Sequence, residues 1–108
     1  MDGRILEFDI DKQRLTRKRD CDFSGLVAGS VGYLKVKFNF SAEWDGCAKV
    51  VDFKTAEEKP YPVKLDEDNT CKVPPEVLKG DRFYVSVIGG KRDYRIRTNT
   101  IRVKQELT

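Results

Sequence analysis

Leu34, Val36, Phe38 and Phe40 fall at every second position, separated by Lys35, Lys37 and Asn39. A period of two places four apolar side chains on one face of an extended strand and the polar ones on the other. The pattern stops at Ser41-Ala42-Glu43-Trp44-Asp45-Gly46, where Asp-Gly tolerates a sharp reversal of the chain. A strand with one apolar face has to bury it against a second layer, which restricts the chain to sheet architectures.

The same alternation recurs elsewhere. Leu6, Phe8 and Ile10 predict a strand over residues 4–11, and Leu15 anchors a weaker, polar one over 13–18. Residues 19–30 carry Gly25 and Gly29 and read as a loop, packed down by Phe23, Leu26 and Val27. Residues 48–53 are apolar enough for a strand buried on both faces. Tyr61, Val63 and Leu65 predict another strand, at an edge because of Pro60 and Pro62. Asp66 to Asn69 reads as a turn before a short strand at Cys71 and Val73. A single helical turn is expected near 75–79, between Pro75 and Gly80. Phe83, Val85 and Val87 start a strand that should turn at Gly89-Gly90. Tyr94 and Ile96, then Ile101 and Val103, close the chain as a pair of segments or one strand bent at Thr98-Asn99. The expectation is one all-β domain over 1–108, an antiparallel β-sandwich or small barrel of about seven to eight short strands.

Composition narrows the chemistry. The 108 residues suffice for one two-layer core, and 36% of them are charged, so the outer faces must be polar. There is no histidine, which removes His-based triads and the commonest acid-base residue. Cys21, Cys47 and Cys71 are odd in number and lack CxxC spacing, so free thiols are expected rather than a disulfide framework or zinc site. The acids Asp66, Glu67 and Asp68 are consecutive and no glycine follows, unlike a calcium loop. No phosphate-cradling glycine loop is present. A non-enzymatic protein without cofactor or metal is expected. No apolar run reaches the length of a membrane span, and the N-terminal residues carry no signal-peptide core. Those two features point to folding in the cytoplasm without secretion, and to no membrane partner.

Charge is segregated along the chain. Residues 12–19 hold Lys12, Arg14, Arg17, Lys18 and Arg19 with no acid, and residues 91–104 hold Lys91, Arg92, Arg95, Arg97, Arg102 and Lys104 against Asp93 alone. Between Glu43 and Asp81 the balance reverses. These basic residues, with Tyr84 on the polar side of its strand, are the candidate interaction surface. Solvated sheet faces also alternate in this way, and no nucleic-acid motif accompanies the charge, so protein partners are favoured over nucleic acid. A basic edge meeting an acidic edge of another copy would give a homo-oligomer. Trp44 is expected to fold back over the core, the alternative being a sugar-stacking ring.

The order of these pieces resembles the small immunoglobulin-like modules of tail and baseplate-associated proteins from phages and prophages of Gram-positive bacteria. The resemblance rests on Gln13-Arg14-Leu15-Thr16-Arg17, on Phe38 to Gly46 with Phe38, Phe40, Trp44, Asp45 and Gly46 as signature, and on Lys49 to Phe53. It continues through Leu65 to Leu78, Phe83 to Gly89 and Arg95 to Asn99, nearly the whole chain. It implies an immunoglobulin-like sandwich and a virion structural or assembly role in a tail, baseplate or decoration, in contact with itself or other virion proteins. A phage-encoded binder that inhibits a host defence protein, and a carbohydrate-binding adhesion module, are the competing expectations.

Overall fold

The computed structural model describes residues 3–108. Among them nine strands form in the order β1 (Arg4–Asp11), β2 (Arg14–Arg17), β3 (Leu34–Phe40), β4 (Ala48–Lys54), β5 (Pro60–Lys64), β6 (Thr70–Lys72), β7 (Arg82–Lys91), β8 (Tyr94–Arg97) and β9 (Ile101–Lys104). They make two sheets: a four-stranded one ordered β2-β1-β3-β6, and a five-stranded one ordered β5-β4-β7-β8 with β9 also on β7. The chain is thus an all-β sandwich.

The inward residues of both sheets meet in one core. Leu6, Phe8, Ile10, Val36 and Phe38 from one side face Val51, Phe53, Phe83, Val85 and Val87 from the other, all buried. An aromatic row runs along this interior: Phe23 lies edge-on to Phe8 with centroids 5.2 Å apart, Phe8 stacks on Phe38 at 5.2 Å, and Phe40 meets Trp44 at 5.1 Å. Trp44 is 0% exposed, and its indole N–H donates to the Lys12 carbonyl at 2.7 Å. The single tryptophan is a core cap, as expected. Burying its ~200 Å² at ~25 cal/mol per Å² is worth on the order of 5 kcal/mol gross. The same contact holds Lys12, the turn residue between β1 and β2, at a φ of 56° that a non-glycine adopts only when its surroundings enforce it.

Several details differ from the sequence reading. The β1–β3 pair is parallel, from Arg4↔Leu34 to Ile10↔Phe40, because the long 18–33 connection crosses the end of the sandwich instead of making a hairpin. There are two 3-10 turns, Ala42–Trp44 and Pro75–Leu78, the second at the place expected for the one helical turn. Gly89 and Gly90 lie inside β7, and the reversal falls at Arg92-Asp93, with Arg92 at φ 51°. A Cβ on Gly89 would sit 2.7 Å from the Trp44 ring, so packing rather than a turn requires that glycine. β4 is fully buried on one face only: Val51 and Phe53 face the core, while Val50 and Asp52 lie half-buried on a face that no further layer covers. Val27 is 46% exposed, so Leu26 and Phe23, with Ala28, pack the loop down instead.

The bend expected at Thr98-Asn99 is a β-bulge. Three steps on β7, from Ile88 to Val85, are matched by four on the other side, from Arg97 to Ile101. The Thr98 hydroxyl accepts the Val87 N–H at 3.0 Å and so replaces the missing ladder carbonyl. Asn99 then reaches the other sheet: its Oδ1 accepts from the Leu15 N–H at 2.7 Å and its Nδ2 donates to the Leu15 carbonyl at 3.1 Å. Gln13 adds a bond to the Arg97 carbonyl at 3.1 Å. Side-chain amides therefore stitch the β2 edge to the β8–β9 edge.

Candidate interaction surface

The β4–β7 register pairs Val51 with Val87 and Phe53 with Val85, and all four point into the core. Alternation then sends Val50, Asp52 and Lys54 of β4 outward, along with Tyr84, Ser86, Ile88 and Gly90 of β7. On the far side of β7, Ile96 and Val103 are buried, so Arg95, Arg97, Arg102 and Lys104 project from the same outer face. Pro62 and Lys64 of β5 complete it, opposite Asp52 and Val50. Arg82 joins through Nε, which donates to the Tyr84 hydroxyl at 3.0 Å. That hydrogen bond, with the nearby tyrosine and Asp81, holds the guanidinium above its usual pKa.

The outer face of the five-stranded sheet is consequently predominantly basic. Asp52 is the one carboxylate among its outward strand residues, 3.9 Å from Lys54 Nζ. Arg95 and Arg97, like Arg102 and Lys104, are two residues apart on a strand, roughly 7 Å. Each such like-charged pair costs about 0.6 kcal/mol in water before screening by salt. Among the described residues, only the Lys54–Asp52 and Arg82–Asp81 ion pairs, the latter at 2.8 Å, offset that cost. Between the cations lies a half-buried strip of Val50, Ile88 and Tyr84.

The predicted residues divide accordingly. Tyr84, Arg95, Arg97, Arg102 and Lys104 are brought together. Arg92 stands at the β7–β8 turn beside them, whereas Lys91 turns away, donating to the Asp45 carbonyl at 2.7 Å and lying 5.2 Å over the Tyr94 ring. The 12–19 group is dispersed. Lys12 is a turn residue whose N–H donates to Ser41 Oγ at 2.8 Å, and Arg14 projects from the other sheet. Arg17 points into the seam, 5.5 Å over Phe23 and donating to the Arg102 carbonyl. The Lys18 N–H is bonded to Glu7, and Arg19 is exposed in the following loop. Sequence reading missed Lys54, Lys64 and Arg82, which sit in locally acidic sequence and join the face only through strand pairing.

The signature residues are structural. Phe38, Phe40 and Trp44 belong to the aromatic row, the Asp45 carbonyl receives Lys91, and Gly46 at φ 75° reverses the chain into β4. The three cysteines are unpaired. Burial, with Asp66 adding to it, pushes the Cys71 thiol up to about 12, and Cys21 Sγ accepts the Glu7 N–H at 3.3 Å. In the acidic turn the Thr70 hydroxyl holds Asp68 below the usual carboxylate range, and Asp68 in turn accepts that hydroxyl at 2.7 Å. No group of three or more His, Cys, Asp or Glu side chains placed to hold a metal occurs among the described residues. A scan against protein-family models, a search of curated proteins and a search of solved structures return no match for the chain.

Proposed function

We propose that this chain is a non-enzymatic structural or assembly protein of a phage or prophage particle, docking on another virion protein through the outer face of its five-stranded sheet. The phage context comes from the resemblance in the sequence. The excess of cations on that face is the observation that carries the docking role, since like charges crowded together cost stability and gain from an oppositely charged partner. Arginine, tyrosine and aliphatic residues mixed on one face are also the composition of protein interfaces.

Several sheet edges are poor docking sites. Pro60 and Pro62 have no N–H to offer an added strand on β5, and the β2 and β8–β9 edges are stitched together by Asn99, Gln13 and Arg17. The remaining edge, β6, is only three residues long and offers little backbone to an added strand, which leaves a face as the surface of choice. The sugar-binding alternative loses its principal ring, because Trp44 is buried.

Particle composition tests the reading. The protein should be detected in purified particles, made in the bacterial cytoplasm and incorporated during assembly. An Arg97→Glu/Arg102→Glu variant should melt like the parent and be missing from particles. Absence of the parent protein from particles, with a stoichiometric host-protein complex in its place, would overturn it.

A further inference from the structure

Adjacent glycines on β7 differ in what requires them. Gly89 points inward and has no room for a side chain against Trp44. Gly90 points outward, its φ is not in the positive range, and a Cβ there would meet nothing nearer than the Tyr94 carbonyl at 3.6 Å, an ordinary contact. A glycine inside a strand weakens it, and one that packing does not need marks a place where something else approaches. Its cross-strand neighbours are Ala48, equally small, and Arg95. The missing side chains leave a shallow notch of about 390 Å³ at one end of the basic face. Ala48, Val50, Ile88 and Gly90 line it beside the Tyr94 ring, whose hydroxyl donates to the Glu43 carbonyl, and Arg92 and Arg95 stand at its rim.

We propose that this notch seats an aliphatic side chain of an acidic protein segment, whose flanking carboxylates pair with Arg92, Arg95 and the neighbouring Arg97. This rests on the reading of the basic face as a docking surface and names the partner's chemistry. The aliphatic lining fits a leucine-sized group, and the guanidinium fork matches a carboxylate in two-bond geometry. A nucleic acid fits less well. Tyr84 is tied to Arg82 through its hydroxyl, and no row of free aromatic rings offers bases a stacking platform.

Fluorescence anisotropy with labelled probes tests this: a short glutamate peptide with one central leucine, the same peptide with glycine in its place, and an oligonucleotide of matched charge. The leucine peptide should bind about tenfold more tightly than the glycine peptide, the expected gain for seating one aliphatic side chain. Gly90→Val should fill the notch and erase that difference. Ala48→Val does the same from β4 if the first variant folds poorly. Arg95→Glu/Arg97→Glu should weaken both peptides by more than about tenfold. Equal binding of the two peptides, a leucine advantage that survives both filled variants, or tighter binding of the oligonucleotide would each overturn the proposal. A positive peptide result together with absence from particles would overturn the particle role and leave the notch standing.

Discussion

The two outer faces of the sandwich handle charge in opposite ways. On the four-stranded sheet, the β1 acids meet the β3 bases and amide across the ladder: Glu7 opposes Lys37, and Asp9 opposes Asn39. Asn39 Nδ2 is within 2.9 Å of Glu7 Oε2 and 3.0 Å of Asp9 Oδ1. On the five-stranded sheet, Tyr84 lies between Lys54 and Arg102, and Gly90 between Ala48 and Arg95, with Asp52 beside Lys54 and Asp81 beside Arg82 as the counter-charges. Both faces are backed by the same core, so folding alone accounts for neither pattern. The first is balanced within itself. The second is left unbalanced, which is why the contact surface is assigned to it.

The largest expected effect separates the inner from the outer side of β7. Gly89→Val drives a side chain into the Trp44 ring and should cost about 3 kcal/mol or more, whereas Gly90→Val should stay within about 1 kcal/mol of the parent. Urea denaturation measures both. Equal penalties would mean that the outer side is also under packing constraint, and the contrast between an obligatory core face and a free outer face would fail.

A middle-sized effect is expected at the seam. Asn99→Ala removes both bonds to Leu15 and leaves backbone groups of a part-buried strand without partners, a loss of about 2 kcal/mol. Amide exchange at Leu15 should quicken more than exchange in β3. If β2 keeps its protection, the stitching is incidental, and the β2 and β8–β9 edges are open to an added strand. Docking would then no longer be directed to a face.

How much of this was legible follows from the kind of signal involved. Period-two alternation is local, so β1, β3, β5 and β7 could be read directly, and Trp44 beside an Asp-Gly reversal could be read as a core cap. The parallel β1–β3 pairing could not, because it depends on where a 16-residue connection leads and not on any local pattern. Gly89-Gly90 looked like a turn because glycine marks turns more often than it marks a ring packed on a backbone. The true turn uses Arg92 at a positive φ, a choice that local propensity disfavours. Of the candidate surface, the arginines of β8 and β9 were visible as one run. Lys54, Lys64 and Arg82 were hidden among acids, and the 12–19 cluster promised a patch that the fold disperses over four surroundings.

The smallest effect is the most direct comparison of the faces, because it predicts a change of sign. Lys37→Glu sets a carboxylate opposite Glu7 and should destabilise by about 0.5 kcal/mol. Arg102→Glu introduces a carboxylate among cations and should be neutral or stabilise by a few tenths of a kcal/mol, since it relieves repulsion that the fold otherwise tolerates. Both shifts should shrink between low salt and molar salt, because the charges concerned are largely solvent-exposed. Urea midpoints at the two salt concentrations supply the measurement. If both reversals destabilise equally, the five-stranded face is balanced by contacts within the chain, and its charge no longer calls for a partner. If the signs differ and converge in salt, the imbalance is intrinsic to that face, and an acidic surface brought against it is stabilised by the charge that folding left unpaired.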